Sequence, residues 1–154
     1  MDIKLLMRPL NLPKANLKLI KKMGEVYVWD VFRKKQLLLT PEEWVRQHIL
    51  HALVNQSSYP LHLIAAEQGI SINGMTRRCD GVVYKGVKPV MIVECKAPHI
   101  PIDEKVVHQI AQYNFKLNVD FLLITNGLKT FTIQINRTQN KIELLDTIPS
   151  YDEL

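Results

Sequence analysis

Two apolar segments separated by a short polar stretch constrain the fold of this chain more than any other feature of its sequence. Residues 77–84 and 89–96 are rich in Val, Ile and Met, and Lys85-Gly86-Val87-Lys88 lies between them. Two such runs around a glycine-containing turn predict a β-hairpin. If the hairpin is centred on Val87, opposite positions sum to 174. Directly opposed residues share a face of the sheet, and the pairs are then Tyr84–Val90, Val82–Ile92 and Asp80–Glu94.

The segments around this hairpin predict two helices. Thr40 can cap a helix and Pro41 suits its first turn, while Glu43 would complete a capping box. The helix is expected to continue to residues 56–58. Asp103 can cap a second helix that extends to about Leu117. Apolar residues recur at helical spacing in both segments; they are Trp44, Val45, His48, Ile49, Ala52 and Leu53 in the first and Val106, Ile110, Tyr113 and Leu117 in the second.

Further strands are predicted on both sides of the helices. Short runs of Val, Ile, Leu, Phe and Tyr favour extended backbone, and Asn73-Gly74 and Asn126-Gly127 are turn signals. The order is strands, helix, three strands, helix, two strands, with one more strand at the edge. It predicts an α/β fold with a mixed central sheet flanked by helices. The additional strands are expected at residues 25–32, 36–39, 61–72, 119–125, 130–135 and 141–145.

Length and charge limit the protein's organisation. The 154 residues, 47% of them hydrophobic, fit one globular domain. We expect residues 1–24 to form an N-terminal arm or peripheral segment, and residues 25–154 to form a single domain. The apolar runs are too short to span a membrane, and no signal-like core is present, so a cytoplasmic location and no membrane partner are expected.

The net charge of +5 is compatible with a polyanionic partner. Four lysines near the N-terminus form a DNA-contacting arm or, as we favour, a solvated charge run; they are Lys14, Lys18, Lys21 and Lys22.

The predicted hairpin gathers charged groups at one end of the sheet. Asp80 and Glu94 are opposite each other, and Lys96 lies two residues after Glu94 on the same face. Two close carboxylates repel each other unless a cation is present, and carboxylate oxygens suit Mg²⁺. Lys96 could then stabilise charge on a phosphate or an attacking water. The same pattern also fits an ordinary salt bridge at a solvated strand end.

Two helices can add groups to this site. Gln109 and Tyr113 are four residues apart and share a helix face, where they would contact a phosphate, a metal-bound water or Lys96. The alternative is a half-buried tyrosine beside a solvent-facing glutamine. Glu43 could supply a third carboxylate, or it could serve only in the capping box. Cys79 and Cys95 also sum to 174, and we expect both to be thiols on the face opposite Asp80.

Taken together, these residues resemble the PD-(D/E)xK nuclease superfamily, and more narrowly the N-terminal nuclease-type domain of type I restriction enzyme R subunits. The resemblance covers residues 26–135. Its motifs are Thr40-Pro41-Glu42-Glu43-Trp44-Val45-Arg46-Gln47, Arg77-Arg78-Cys79-Asp80, Glu94-Cys95-Lys96-Ala97-Pro98, Gln109-x3-Tyr113 and Ile124-Thr125-Asn126-Gly127. Cys79 stands where the family pattern has proline, a change that leaves the carboxylates in place.

The resemblance implies a restriction-endonuclease-like αβββαβ core and a Mg²⁺-dependent DNA nuclease, with Mn²⁺ able to substitute. Asp80, Glu94 and the backbone carbonyl of Cys95 would hold the metal. Lys96 would be the catalytic lysine, supported by Gln109, Tyr113 and Glu43. DNA, other restriction-system subunits and a second copy of the chain are the expected partners. The alternative is a catalytically silent nuclease fold that binds nucleic acid or a protein. The sequence has no G-x4-G-K-[ST] loop, so ATP-driven translocation is not predicted.

Overall fold

A computed structural model of the chain describes residues 2–72 and 74–154, which form two β-sheets and three α-helices. The predicted turn at Asn73-Gly74 lies partly outside these residues, because Asn73 is not among them. The helices are α1 (Ile3–Leu6), α2 (Pro41–Ser57) and α3 (Glu104–Phe115). The strands are β1 (Leu19–Lys22), β2 (Glu25–Asp30), β3 (Lys35–Leu38), β4 (Ile64–Ile72), β5 (Met75–Lys85), β6 (Lys88–Cys95), β7 (Phe121–Thr125), β8 (Thr130–Asn136) and β9 (Lys141–Leu145).

The larger sheet is mixed and is covered by a helix on each face, which confirms the predicted α/β class. Its strand order is β4-β5-β6-β7-β8-β9, and β6 and β7 are parallel whereas the other neighbours are antiparallel. Helix α2 packs Ile49 and Leu53 against Val93 on one face. Helix α3 packs Val107 against Ile92 on the other. Burial of each such side chain contributes about 1.5–3 kcal/mol.

Helix α2 begins where the sequence predicts. The side chain of Thr40 accepts a hydrogen bond from the backbone N–H of Glu43 at 3.0 Å, and Pro41 occupies the first turn. The capping box is only half formed, because the Glu43 side chain is bonded to Arg33 and Arg46. A buried carboxylate gains more from two guanidinium groups than from one backbone N–H.

The predicted apolar stripe of α3 is correct only in part, since Leu117 is buried as predicted but lies beyond the end of the helix at Phe115. Val107, Ala111 and Asn114 face the sheet, while Tyr113 is 47% exposed and Ile110 is half-buried. Two stripes of similar periodicity lie side by side on this helix. Small Ala111 allows the closer approach to the sheet, so size and not hydrophobicity decides which stripe is buried.

The hairpin register is confirmed near the site and wrong near the turn. Val82 pairs with Ile92 as predicted, but Tyr84 pairs with Pro89 instead of Val90. The loop is the two-residue Gly86-Val87, and the register shifts by one residue between Val83 and Tyr84. Gly86 has a φ of +60°, as short hairpin turns favour. The irregularity is a β-bulge on the turn side of Val83, so the strand ends that carry the acidic residues keep the predicted alignment.

Pairing between β4 and β5 is interrupted beside Asp80. Ala66 pairs with Gly81 and Gln68 with Cys79, but Glu67 between them has a φ of +52° and no pairing partner in the ladder as described. Cys79 packs on the face covered by α3, and Cys95 packs on the face covered by α2. The expectation that both thiols lie on one face is therefore wrong. Both are free thiols, as predicted.

The N-terminal sheet has the order β1-β2-β3 and its own small core. Val26, Val28, Leu39 and Leu6 of α1 are buried beneath it. The division between residues 1–24 and 25–154 stays a prediction, although β1 pairs directly with β2. Residues 61–63 form a 3-10 turn instead of the start of the predicted strand. Among the described helices, none has both the length and the apolar character needed to cross a membrane.

Candidate active site

Asp80 and Glu94 lie together at the end of β6, as the register predicts. An Asp80 carboxylate oxygen accepts a hydrogen bond from the backbone N–H of Cys95 at 2.7 Å. Cys95 is the residue after Glu94, so the Asp80 carboxylate lies beside Glu94, and its charge contributes to a raised pKa of Glu94 whose main cause is burial.

Lys96 follows directly at the same edge of the sheet. Its backbone N–H donates to the carbonyl of Thr125 at 2.9 Å, which fixes the chain just after β6. The side chain is exposed, and its positive charge lowers the pKa values of both Glu42 and Glu94. The Asp80 carboxylate, Glu94 and Lys96 therefore lie together at the C-terminal end of β6.

Glu94 is poised to carry a proton in the absence of a metal. Burial is the main reason that its pKa rises from an ordinary 4.5 to about 7, and the neighbouring carboxylate of Asp80 adds to the rise. Arg77 and Lys96 act in the opposite direction. A carboxyl group whose pKa is shifted in this way by burial and a like charge is typical of functional sites.

Arg46 of α2 is the central cation of this region, and the sequence reasoning missed it. Its guanidinium donates to Asp80 at 2.8 Å and to Glu43 at 3.1 Å, and lies 2.7 Å from Glu67. Arg46 is only 5% exposed. Burial disfavours its charge, but Glu43 and Asp80 outweigh burial and raise the pKa of the arginine. The sequence signal that could have identified Arg46 is the presence of a charged residue on the buried face of a helix.

Glu43 lies next to this cluster but is not bonded to Asp80 or Glu94. It is 5% exposed and accepts hydrogen bonds from Arg33 at 2.5 Å and from Arg46. Arg33 also pairs with Asp30 of the N-terminal sheet. Glu43 is therefore connected to Asp80 through one guanidinium group, and the three carboxylates form no single group of ligands.

On the α3 side, Arg77 links Glu94 to the helix. It donates to Glu94 at 2.5 Å and to the side-chain oxygen of Asn114, and its guanidinium stacks 5.1 Å from the centre of the Tyr113 ring. Tyr113 thus lies beside Arg77, which pairs with Glu94. Gln109 lies one turn earlier on the helix and is exposed, and it makes no hydrogen bond within residues 2–72 and 74–154. Arg77 and Asn114 were missed because their partners are distant in sequence.

The donor set fits a divalent cation that needs few protein ligands. In the described part of the chain, no group of three or more His, Cys, Asp or Glu side chains is arranged to hold a metal. Mg²⁺ usually takes one or two carboxylates and completes its shell with water and phosphate oxygens. Asp80 and Glu94 meet that smaller requirement with hard oxygen ligands.

A cavity of about 440 Å³ lies elsewhere, between the N-terminal segment and α2. Its lining is mostly apolar and includes Leu10, Trp44 and His48. None of Asp80, Glu94, Lys96, Arg46 and Arg77 lines it, so this cavity is separate from the charged cluster at the end of β6.

Comparison with known proteins supplies the family. The family described as "Type I restriction enzyme R protein N terminus (HSDR_N)" matches residues 41–149, which is more than half of the chain. Among solved structures, the chain is similar to a fragment of a putative HsdR subunit of a type I restriction enzyme from Vibrio vulnificus YJ016. The identity is 21% and the TM-score 0.48, over 68% of this chain and 22% of that chain. No curated protein matches.

Proposed function

Because the chain belongs to the family of type I restriction enzyme R protein N termini, we propose that it is a metal-dependent nuclease domain that hydrolyses DNA phosphodiester bonds in restriction. The observation that carries the proposal is that the Asp80 carboxylate accepts a hydrogen bond from the backbone N–H of Cys95, the residue between Glu94 and Lys96. The order of elements from α2 through three strands to α3 and β7 supports a restriction-endonuclease-like core.

Asp80 and Glu94 would hold Mg²⁺, or Mn²⁺ in its place, together with the backbone carbonyl of Cys95. The bound ion would supply a Lewis acid for the phosphate and lower the pKa of water. Asp80 is held in place by the Cys95 N–H, so its orientation does not depend on the ion. Glu94 releases its proton more readily as positive charge accumulates nearby.

The remaining residues would act on the substrate. The exposed Lys96 ammonium can stabilise negative charge that develops on the phosphate. Tyr113 and Gln109 present a hydroxyl and an amide on the exposed face of α3, where they can bind phosphate oxygens. Glu43 would act as a positioning residue, because it orients Arg46 and through it Asp80.

We propose DNA and other subunits of a restriction system as partners, in the cytoplasm, and self-association of the chain as a further association. The chain spans about a fifth of the length of the Vibrio chain that it resembles. The proposal therefore concerns cleavage alone, and activities of whole R proteins do not enter it.

The test is cleavage of supercoiled plasmid DNA by the purified chain with Mg²⁺. Lys96→Ala should reduce the cleavage rate by about 100-fold or more, as expected for the loss of a group that stabilises transition-state charge. Lys141→Ala, an exposed lysine on β9, is the matched control and should cleave normally. A Lys96→Ala rate equal to that of the unmodified chain would refute the mechanism.

A second candidate, a silent nuclease fold that binds nucleic acid or a protein, is favoured by one observation. Asp80 and Glu94 are already paired with Arg46 and Arg77, which balance their charge without a metal. This candidate predicts salt-dependent DNA binding but no cleavage with Mg²⁺, Mn²⁺ or any other divalent ion.

A further inference from the structure

The positive charge of this protein is concentrated in one segment. Residues 14–38 contain seven Lys or Arg against two Asp or Glu, an excess equal to the whole net charge of +5. The rest of the chain is therefore neutral overall. The segment forms the three-stranded N-terminal sheet and its approach, so a polyanion would be attracted to this sheet before any other part of the surface.

The outer face of this sheet carries aromatic rings as well as charge. Val26 and Val28 of β2 point to the core, so the alternate residues Tyr27 and Trp29 point outward. Trp29 is 38% exposed and Tyr27 is half-buried. At about 3.3 Å per residue, the two rings start roughly 7 Å apart along one strand. Leu38 lies opposite Tyr27 on β3 and is 45% exposed.

Lysines in β1 and in the residues just before it border these rings. The backbone N–H of Trp29 donates to the carbonyl of Lys18, which places Lys18 next to the tryptophan. The Lys22 ammonium donates to the side-chain oxygen of Gln36 at 3.0 Å, on the far side of β2, so the lysine chain crosses the outer face. The acidic residue on this face, Glu25, is at the strand end and accepts a hydrogen bond from the Tyr27 hydroxyl.

We propose that the outer face of the β1–β3 sheet binds an unpaired DNA strand, with bases stacked on Trp29 and Tyr27 and phosphates contacted by Lys18 and Lys22. Exposed aromatic rings beside lysines are the arrangement by which proteins bind single strands, since every base has a face that can stack. Bases in a duplex already stack on each other, so the rings favour unpaired over paired DNA. The choice of DNA rests on the proposed function.

The sheet is linked to the candidate active site by ion pairs. Arg33, which follows β2, pairs with Glu43, and Glu43 accepts from Arg46, which contacts Asp80. Two arginines and one glutamate thus connect the sheet to the Asp80 carboxylate.

The test is binding of the full chain to fluorescein-labelled oligothymidylate and to a duplex, by fluorescence anisotropy in EDTA over a range of salt concentrations. Trp29→Leu should weaken single-strand binding roughly 5- to 100-fold, while Trp29→Phe, which keeps a ring, should bind nearly normally. Lys18→Gln with Lys22→Gln should reduce the slope of log affinity against log salt by about 1.4. The control is the double variant Lys88→Gln with Lys141→Gln, at two exposed lysines of the larger sheet. It should lower this slope less than the Lys18 and Lys22 double variant does.

Equal binding by Trp29→Leu and Trp29→Phe would overturn the proposal, and so would equal loss in the control pair or tighter binding of the duplex. Such results would indicate that this face binds a protein and not unpaired DNA. Because EDTA removes divalent metal, binding is measured without cleavage. A chain that binds through Trp29 but never cleaves refutes the nuclease function alone, and a chain that cleaves without needing Trp29 for binding refutes this inference alone.

Discussion

Replacement of Arg46 by methionine is the sharpest test of the charge network, because this arginine joins α2 to the strand that carries Asp80. Methionine keeps much of the volume but leaves Glu43 and Asp80 without the guanidinium that lies within 3.1 Å and 2.8 Å of them. Removal of one partner from a buried ion pair typically costs 3–5 kcal/mol. Glu43 retains Arg33, so the lower value of about 3 kcal/mol is expected.

The assay is urea unfolding followed by far-UV circular dichroism in EDTA, with thermal unfolding as a second measurement. A loss of about 3 kcal/mol corresponds to a Tm lower by roughly 6–12 °C for a chain of this size. Arg78→Met is the matched control, because Arg78 also pairs with Glu67 but is 74% exposed. Its cost should be about 1 kcal/mol or less.

The effect of Mg²⁺ on stability distinguishes a metal site at Asp80 and Glu94 from ion pairs that only stabilise the fold. If a cation between Asp80 and Glu94 replaces the lost charge, Mg²⁺ should stabilise Arg46→Met more than it stabilises the unmodified chain. The reasoning is refuted if Arg46→Met costs no more than Arg78→Met. Equal stabilisation of both chains by Mg²⁺ would show that Arg46 and the ion do not share Asp80.

Three further predictions concern single residues. Because the pKa of Glu94 is about 7 in the folded chain and near 4.5 when unfolded, the folded state holds an extra proton between these values. Metal-free stability should therefore fall by up to about 3 kcal/mol as pH rises through this window, and Glu94→Gln should remove that fall in urea unfolding; parallel pH profiles would contradict it. Gly127→Ala should destabilise the chain by about 1–3 kcal/mol in the same assay, because Gly127 has a φ of +83° and a Cβ there would lie 2.6 Å from Leu10; an unchanged midpoint would refute this. Burial raises the pKa of the Cys79 thiol to about 11 and that of the Cys95 thiol well above its ordinary value, so both should react with Ellman's reagent only after unfolding, and rapid labelling of the native chain would disprove their burial.

Local signals predicted much of the fold. Thr40 and Pro41 marked the start of α2 correctly because capping depends on residues next to each other in sequence. The Val82–Ile92 pairing followed from the phase of two apolar strands. The bulge beyond Val83 did not follow, since the choice of the two-residue turn Gly86-Val87 over a longer one depends on turn geometry and twist.

Asp80, Glu94 and Lys96 could be placed at the candidate site from the sequence, whereas Arg46, Arg77 and Glu67 could not. Asp80 and Glu94 come from the two strands of one hairpin, and the neighbouring pairs Gly81–Val93 and Val82–Ile92 keep the predicted phase. Arg46 reaches Asp80 from 34 residues away, through packing of α2 on the sheet, and Arg77 reaches Glu94 over 17 residues. Such contacts depend on tertiary packing, which periodicity in one segment does not encode.

The most direct test of the central claim is a crystal of the chain soaked in Mn²⁺, with anomalous diffraction used to locate the ion. The account predicts an anomalous peak between the carboxyl groups of Asp80 and Glu94, lost in the Asp80→Asn variant, with Lys96 beside it. The account would be contradicted if, at saturating Mn²⁺, no peak lay between the two carboxylates and they remained paired with Arg46 and Arg77.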